Sequence, residues 1–515
     1  MFIRKKKNRS GTTSIVVAIK QSGKIKELKT IGVAKDSSEV EKFYKEGKVW
    51  IEHRVKGEDL FLQHSQAMEE KYVIENLLSN IENILHNGIQ LLLNRVYDAI
   101  GYNEIDDYIL KQLVISRLSQ PMSKLATIEY LKTHFNEDLS LDKIYRYMDK
   151  LYSQQQETIQ RISVEHTRKV LGGKIGLMFY DVTTLYFESD NGDGFREPGF
   201  SKDGKHSQPQ IVLGLLVSEQ GYPLSYSMFN GTQYEGHTMI PIVDDFVRRF
   251  SLDDFVLVAD SGLMSKKNID FLKDQGYQYI IGARIKNVNK SERTWIQSLN
   301  KVEGKFNETT VGNGRLIVGY SEKRAKKDAH NRMKGISRLE KAFKTGIISK
   351  ENINKRGYNK FLKITDDVQV KIDKSKIEED SKWDGLKGYI TNTNLSPSDV
   401  YNQYSSLWQV ERAFRITKGT LEMRPMFHFT SKRIEAHVSI CFVAYKVYKE
   451  LERILKNNQY RLSVDKVLEI AKTITSLHIK LPNSGKTVSK TMIITERQKE
   501  IADLFSDQFW ENQKG

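Results

Sequence analysis

Apolar and polar residues alternate along residues 12–34, in TSIVVAIKQSGKIKELKTIGVA, on either side of the turn signal QSGK. Period-two alternation around such a turn predicts a β-hairpin. A helical pattern follows from Ser38 to about Tyr44. From about Leu60 to Val170 the apolar residues recur at three-and-four spacing, as in YVIENLLSNIENILHNGIQLLLNRVYDAIG and DDYILKQLVISRLSQ. That spacing predicts a run of amphipathic helices. Within it, SKLATIEYLKTHFNEDLSLDKIYRYMDKLY reads as helix, short turn, helix, with Ser140 as N-cap of the second helix. Lys143, Arg146 and Lys150 fall on that helix's polar positions. The pair is either a DNA-reading helix-turn-helix or an ordinary antiparallel pair with a solvated basic face.

After Val170 the texture changes. KIGLMFYDVTTLYFE, QIVLGLLVSEQGYPLSYSMF and DFVLVAD are rich in β-branched and aromatic residues and are parted by glycine-bearing turns. These predict core strands, which makes the fold class α/β. A long polar and basic stretch then runs to about Gly388, mixing strands (RLIVGYS, NKFLKITDDVQVKI) with the basic helical SEKRAKKDAHNRMKGISRLEKAFK. Its weak apolar periodicity predicts a peripheral, inserted module. One further helix is expected over SDVYNQYSSLWQVERAFRITKGTLE, starting from Ser396 or Ser398 and stopping before Arg424-Pro425.

Composition narrows the partner. The chain has 515 residues and a formal charge of +16, from 81 Lys and Arg against 65 Asp and Glu. A field of that sign attracts polyanions, although a merely soluble basic protein shares it. The single cysteine, Cys441, lies in the apolar run VSICFVAY and excludes a disulfide framework or multi-cysteine zinc site. IVVAI is too short for a signal-peptide core and no run reaches membrane-spanning length, so a soluble cytoplasmic protein with no membrane partner is expected.

The candidate chemistry lies in three acids. Asp181 ends the run IGLMFY and Asp260 ends FVLVA, so two carboxylates are expected to cap two core strands and face each other. Like charges that close demand a cation, and carboxylate oxygens suit magnesium. Glu411 supplies a third acid on the long helix. There Tyr404, Trp408, Glu411, Arg415 and Lys418 share one side, while Leu407, Val410, Phe414 and Leu421 point inward. Singly, each acid has a mundane reading. A Glu411–Arg415 pair is an ordinary helix ion pair worth about 0.3–0.5 kcal/mol, and Asp often begins a turn.

Together, YDVTTLYFE, GFSKDGKHSQPQIVLGLLV, VADSGLMSKKNI and YNQYSSLWQVERAFRITKGTLEMRPMFHFTSKRIEAH resemble the DDE transposases of bacterial insertion sequences, over about Ile175 to Glu450. More narrowly, the chain resembles the branch with an insertion between the second aspartate and the glutamate; here those residues stand 151 positions apart. That branch carries a Tyr-Arg-Glu-Lys signature, matched by Tyr404, Glu411 and Lys418, with Leu407 where the arginine would stand. Arg412 and Arg415 are the cations that could take over its phosphate contact.

The resemblance implies a ribonuclease H-like catalytic domain. Together with the elements read from the pattern, this divides the chain into a small N-terminal module with the β-hairpin (1–55), an α-helical domain expected to bind DNA through Lys143 and Arg146 (56–170), and the first catalytic part (171–290). An insertion (291–390), the second catalytic part with the Glu helix (391–460) and a helical tail (461–515) would follow. It also implies Asp181, Asp260 and Glu411 as catalytic ligands of two Mg2+ or Mn2+ ions, and Tyr404 and Lys418 as contacts to the transposon end. Double-stranded DNA, both element ends and target, is the implied partner, bound by a homodimer on paired ends in the bacterial nucleoid. The expected reaction is phosphoryl transfer at the element end, followed by attack of the freed 3′-hydroxyl on target DNA. No Ser-His-Asp or Cys-His constellation competes, and His428 and His437 are left for structure or DNA contact. The fragment DNGDG lacks calcium-loop spacing and reads as a loop. The N-terminal arm and Lys323–Lys344 are further basic stretches for phosphates. A glycosidase would have no use for the charge, and a decayed transposase that only binds DNA is the alternative kept open.

Overall fold

The computed structural model describes the chain except for residues 22, 189–191, 202–203, 313, 346–356, 365–369, 425, 482–483 and 506–515. The end of the expected C-terminal tail, Ser22 of the hairpin turn, Pro425 and part of the strand pattern at 359–372 therefore lie outside the described residues. Two compact units are present, one of residues 1–84 with 476–492, the other of residues 85–475 with 493–505.

The first unit begins with an antiparallel sheet of β1 (Phe2–Lys7), β2 (Thr13–Gln21) and β3 (Lys24–Ala34). Gln21 pairs with Lys24, so the hairpin turns where the sequence signals it, and Gly23 takes the positive φ of 76° that the turn requires. Helix α1 (Ser37–Tyr72) runs far beyond the predicted Tyr44. The stretch read as continuous helix then breaks, and β4 (Ile81–Leu85) pairs with a strand from the C-terminal part of the chain.

The second unit opens with α2 (Gly88–Ile100), α3 (Tyr108–Ser119), α4 (Lys124–Tyr130), α5 (Leu141–Lys150) and α6 (Gln156–Val170). Asp107, Ser123 and Ser140 cap α3, α4 and α5 by accepting from backbone N–H groups. Leu92, Leu93, Val96, Val114, Ile144 and Met148 are buried in one core with the long helix α14, described below.

A large mixed sheet follows: β5 (Leu177–Tyr186), β6 (Glu197–Pro198), β7 (Pro209–Ser218), β8 (Pro223–Asn230), β9 (Val256–Ala259) and β10 (Gln278–Ala283), with α7 (Met239–Phe250) and α8 (Lys266–Asp274) between its later strands. β9 runs parallel to both β5 and β10, while β7 is antiparallel to β5 and to β8. The basic stretch contributes α9 (Lys290–Ser298), β11 (Phe306–Val311), β12 (Gly314–Tyr320), α10 (Glu322–Lys344), β13 (Leu362–Ile364), β14 (Val370–Ile372), α11 (Lys374–Ser381) and β15 (Leu386–Thr391). It does not stand apart as a peripheral module. β15 pairs with β10, β12 with β15 and β11 with β12, so these strands extend the main sheet.

The expected single Glu helix is two: α12 (Pro397–Ser405), capped by Ser396, and α13 (Trp408–Arg415). The hydroxyls of Ser405 and Ser406 both donate to the Asn402 carbonyl, 2.7 and 3.2 Å away, and such local bonds compete with helix continuation. Helix α14 (Ser431–Asn457) is the central helix of the unit, followed by α15 (Val464–Ala471). The chain then returns to the first unit with β16 (Thr475–Lys480) and β17 (Thr487–Met492), β16 pairing with β4, before α16 (Glu496–Asp503). Strands thus occupy part of what reads in sequence as a helical tail. Among the described residues no helix is long and apolar enough to cross a membrane.

Alternation along the strands decides the site. Leu177, Phe179, Leu185, Val256, Val258, Ile280 and Tyr389 join the core that contains α13 and α14. Met178, Tyr180, Val182, Leu257, Ala259 and Ile281 join the opposite core with Met239, Val243 and Phe246 of α7. By the two-residue period, Asp181 falls on the same face as Leu177 and Phe179, the face covered by α13 and α14. Asp260, two residues after Val258, continues that same face at the end of β9.

Candidate active site

Asp181 is not at a strand end. β5 continues to Tyr186 because VTTLY is β-branched and apolar and pairs with β7 as far as Tyr186 with Gln210. What ends at Asp181 is the neighbour: the last β5–β9 pair is Tyr180 with Ala259, and β9 gives way to a turn at Asp260. The two aspartates thus occupy the next matching positions on adjacent parallel strands, whose backbones lie about 4.8 Å apart. Both are half-buried. Asp181 Oδ1 accepts from its neighbour Val182 N at 2.8 Å, and Asp260 Oδ1 accepts from Gly262 N at 2.7 Å. Arg284, just past β10, holds the turn after Asp260 by donating to the Ser261 and Gly262 carbonyls at 2.8 and 2.9 Å.

Glu411 is exposed on α13, which packs on β5 and β7 through buried Val410, Ala413 and Phe414. Tyr404 is buried on α12, its ring centroid 4.7 Å from that of Tyr389 on β15. Its hydroxyl sits above Gly282 on β10, where an added Cβ would meet it at 2.6 Å and Ser261 N at 3.0 Å. Burial first, and then the negative charges of Asp260, Glu411 and Asp181, push the Tyr404 phenol well above its ordinary range. One hydroxyl thus feels all three acids.

A cation completes this cluster. Lys387 of β15 has its Nζ 4.4 Å from the Tyr404 ring centroid. Burial draws its pKa down, as does Arg324 at the start of α10, while Glu411 and Asp260 pull it back up. Arg284, Arg324 and Lys387 line a cavity of about 350 Å3 beside the turn after Asp260. Sequence reading missed Lys387 and Arg284. The available signal was a lone lysine inside the apolar strand LKGYIT.

The remaining expected residues divide. Arg412 forms a two-pronged ion pair with Glu452 of α14, so its guanidinium is engaged within the fold. Arg415 is exposed in the last turn of α13, and Lys418 is half-buried in the turn of π-helix that follows. Because the chain breaks at Ser406–Leu407, Tyr404 on α12 and Glu411 on α13 do not share one continuous helix face. Leu407, at the signature arginine's position, is buried. Lys143 and Arg146 are exposed on α5. His428 and His437 are buried, and Cys441 is a buried free thiol. In the DNGDG fragment, Asp190 and Asn191 lie outside the described residues, and Asp193 is bound by Arg196 Nε at 2.8 Å as a loop tie.

The donor chemistry fits a hard divalent cation: two carboxylates side by side on neighbouring strands and a third on the helix covering that face. Among the described residues, however, no three His, Cys, Asp or Glu side chains are grouped closely enough to hold a metal ion as they stand.

The profile of the transposase DDE domain matches residues 172–446, more than half of the chain, from before β5 into α14. The chain belongs to the transposase DDE domain family. Two solved structures with some similarity are a cryo-EM structure of the piggyBac transposase synaptic complex with hairpin DNA and the Mos1 transposase paired-end complex with left transposon end. The first is 9% identical with a TM-score of 0.39, covering 70% of this chain and 68% of that one. The second is 12% identical with a TM-score of 0.16, covering 36% and 56%. No curated protein matches the chain.

Proposed function

We propose that the protein is the transposase of a bacterial insertion sequence, with a ribonuclease H-like catalytic region interrupted by an insertion at 291–390. It cuts DNA at the element's ends and joins the freed ends to target DNA. The observation that carries this reading is the placement of Asp181 and Asp260 at the next matching positions of adjacent parallel strands, beneath the helix α13 that bears Glu411. Cleavage exchanges the P–O3′ bond for a bond to a water oxygen, the proton leaving with the 3′-hydroxyl. Strand transfer exchanges a target P–O3′ bond for a P–O bond to that 3′ oxygen, whose proton passes to the released 3′ oxygen of the target.

Asp181, Asp260 and Glu411 are the residues that would hold two Mg2+ or Mn2+ ions. When bound, such ions activate the attacking water and stabilise the leaving oxygen. The chain's own groups bind and orient. Lys387, Arg284 and Arg324 offer cations to the phosphate backbone beside the acids, and Tyr404 holds the Asp260 turn against α12. Arg415 and Lys418 reach the DNA flank of the Glu helix. Arg412 acts by fastening that helix to α14. Lys143 and Arg146, on the solvent side of α5, read or position the element end within a helical DNA-binding region at 56–170. Two copies act on paired ends, in the cytoplasm at the nucleoid.

The test is cleavage of supercoiled plasmid carrying the flanking element ends, with Mg2+ or Mn2+, by the intact chain and by Asp181→Asn, Asp260→Asn and Glu411→Gln. Metal-dependent cuts that each substitution abolishes while DNA binding persists support the reading. Cutting that survives one substitution removes that residue from the site. Binding without any cutting by the intact chain favours the decayed, DNA-binding alternative.

A further inference from the structure

A second concentration of charge lies away from the three acids. A cavity of about 170 Å3 is bounded by the α3–α4 connection, α5, the segment after Lys418 and α14. Four of its lining side chains are strongly buried: Arg117 is 6% exposed, Lys124 5%, His428 9% and His437 4%. Lys124 Nζ lies 3.4 Å from His437 Nδ1, and Arg117 donates to the Met122 carbonyl at 3.2 Å. Among the described residues neither cation has an ion-paired carboxylate. Glu422, the carboxylate on the cavity wall, is exposed at its rim, and Asp149 on α5 is paired with Arg433 at 3.5 Å.

Burial disfavours the charged form of both side chains, and an entering anion offsets that penalty. A metal ion is excluded by the same two charges. Burial, and then Lys124 and Arg117, hold both imidazoles neutral, so each offers one donor and one acceptor. Burial and Arg117 also lower Lys124 to about 7, which leaves the ammonium available at neutral pH and strengthened by any anion that binds. A tetrahedral phosphate accepts from several such donors at once, and the cavity has room for several waters' worth of ligand, at about 30 Å3 each.

The surroundings specify the source of the phosphate. Phe427 and Leu125 stand at the cavity 62% and 69% exposed, apolar faces suited to a nucleobase. Tyr145, also on the wall, lies on α5 between exposed Lys143 and Arg146, and Arg433 stacks over its ring at 4.3 Å. We propose that this cavity binds one phosphate group of a DNA strand lying across α5, with Phe427 and Leu125 against the adjoining nucleoside. The DNA part rests on the transposase reading; the phosphate part does not.

The experiment has two arms on the full chain. In the first, inorganic phosphate is titrated while the melting temperature is followed. In the second, binding of mixed-sequence duplex and single-stranded DNA is measured against salt. Lys124→Met, which removes a buried charge and should keep or raise stability, is compared with Glu422→Gln at the rim and with exposed Lys174→Met as a control outside the cavity. Phosphate should raise the melting temperature of the wild type and of Lys174→Met but not of Lys124→Met. DNA affinity should fall about tenfold in Lys124→Met, with the salt slope smaller by about one ion, and should rise in Glu422→Gln. If phosphate stabilises Lys124→Met as well as the wild type, or neither, the phosphate pocket is overturned. If phosphate acts as expected but DNA affinity and slope are unchanged in Lys124→Met, the pocket takes free phosphate and the DNA assignment is overturned. Failure of the plasmid to be cut leaves both arms readable, so the two proposals fail separately.

Discussion

Glu450 on α14 is 2% exposed and sits at the junction of three elements. Tyr222, in the β7–β8 turn, donates to its Oε2 at 2.5 Å. Arg453 binds both oxygens at 3.0 and 2.5 Å, and His166 Nε2 of α6 lies 3.6 Å away. Burial alone would raise its pKa, but nearby His166 and the hydrogen bonds from Arg453 and Tyr222 outweigh it and bring the carboxyl to about 2. Relative to the ordinary 4.5, that depression corresponds to on the order of 3 kcal/mol of folding free energy. A depressed carboxylate stabilises fully above its unfolded pKa and loses that contribution as pH falls through its folded one. Glu450→Gln should therefore unfold in urea with a deficit on the order of 3 kcal/mol near pH 7. The gap between variant and wild type should close as pH falls from about 4.5 toward 2. Circular dichroism reads the transition, and hydrogen exchange of α14 amides reads the junction itself. A deficit under about 1 kcal/mol at neutral pH, or one that stays constant over that acid range, would refute the reasoning.

Three further outcomes follow from the geometry. Gly282→Ala puts a Cβ 2.6 Å from the Tyr404 hydroxyl and 3.0 Å from Ser261 N. DNA cleavage should fall steeply while the melting curve loses only about 1–3 kcal/mol, and unchanged cleavage would mean that Tyr404 is not held where the reaction needs it. Lys387→Met should lower the cleavage rate about tenfold, a loss of about 1.4 kcal/mol of transition-state stabilisation, and reduce the salt slope of duplex binding by about one ion; an unchanged rate and slope would remove Lys387 from the DNA site. Joint replacement of Lys143 and Arg146 by Ala should reduce the slope of log affinity against log salt by about two ions. An unchanged slope would return α5 to being an ordinary solvated helix.

What was legible in the sequence was local. The hairpin turn at Gln21–Lys24 and the caps at Ser140 and Ser396 depend on neighbouring residues alone, and each is found where the pattern signals it. Asp181 and Asp260 stood out because each follows an apolar run that only a buried strand explains. The missed features depend on contacts distant in sequence. Ile81–Leu85 reads as helix but forms a strand because Thr475–Lys480 pairs with it. The inserted stretch reads as peripheral because its apolar periodicity is weak, yet β15 joins β10 and carries Lys387 to Tyr404. The break between α12 and α13 was hidden because Leu407, Val410 and Phe414 keep helical spacing across it, while two serine hydroxyls interrupt the backbone pattern.

The most direct measurement of the central claim is a metal-specificity switch at the three acids. Asp181→Cys, Asp260→Cys and Glu411→Cys are assayed for plasmid cleavage with Mg2+ and with Mn2+, since a thiolate is a poor ligand for the harder ion and a better one for the softer. If the acids hold the ions, each variant is inactive with Mg2+ and regains cutting with Mn2+. Cutting by a Cys variant with Mg2+ at the wild-type rate would contradict the account, because that acid then holds no metal that the reaction uses.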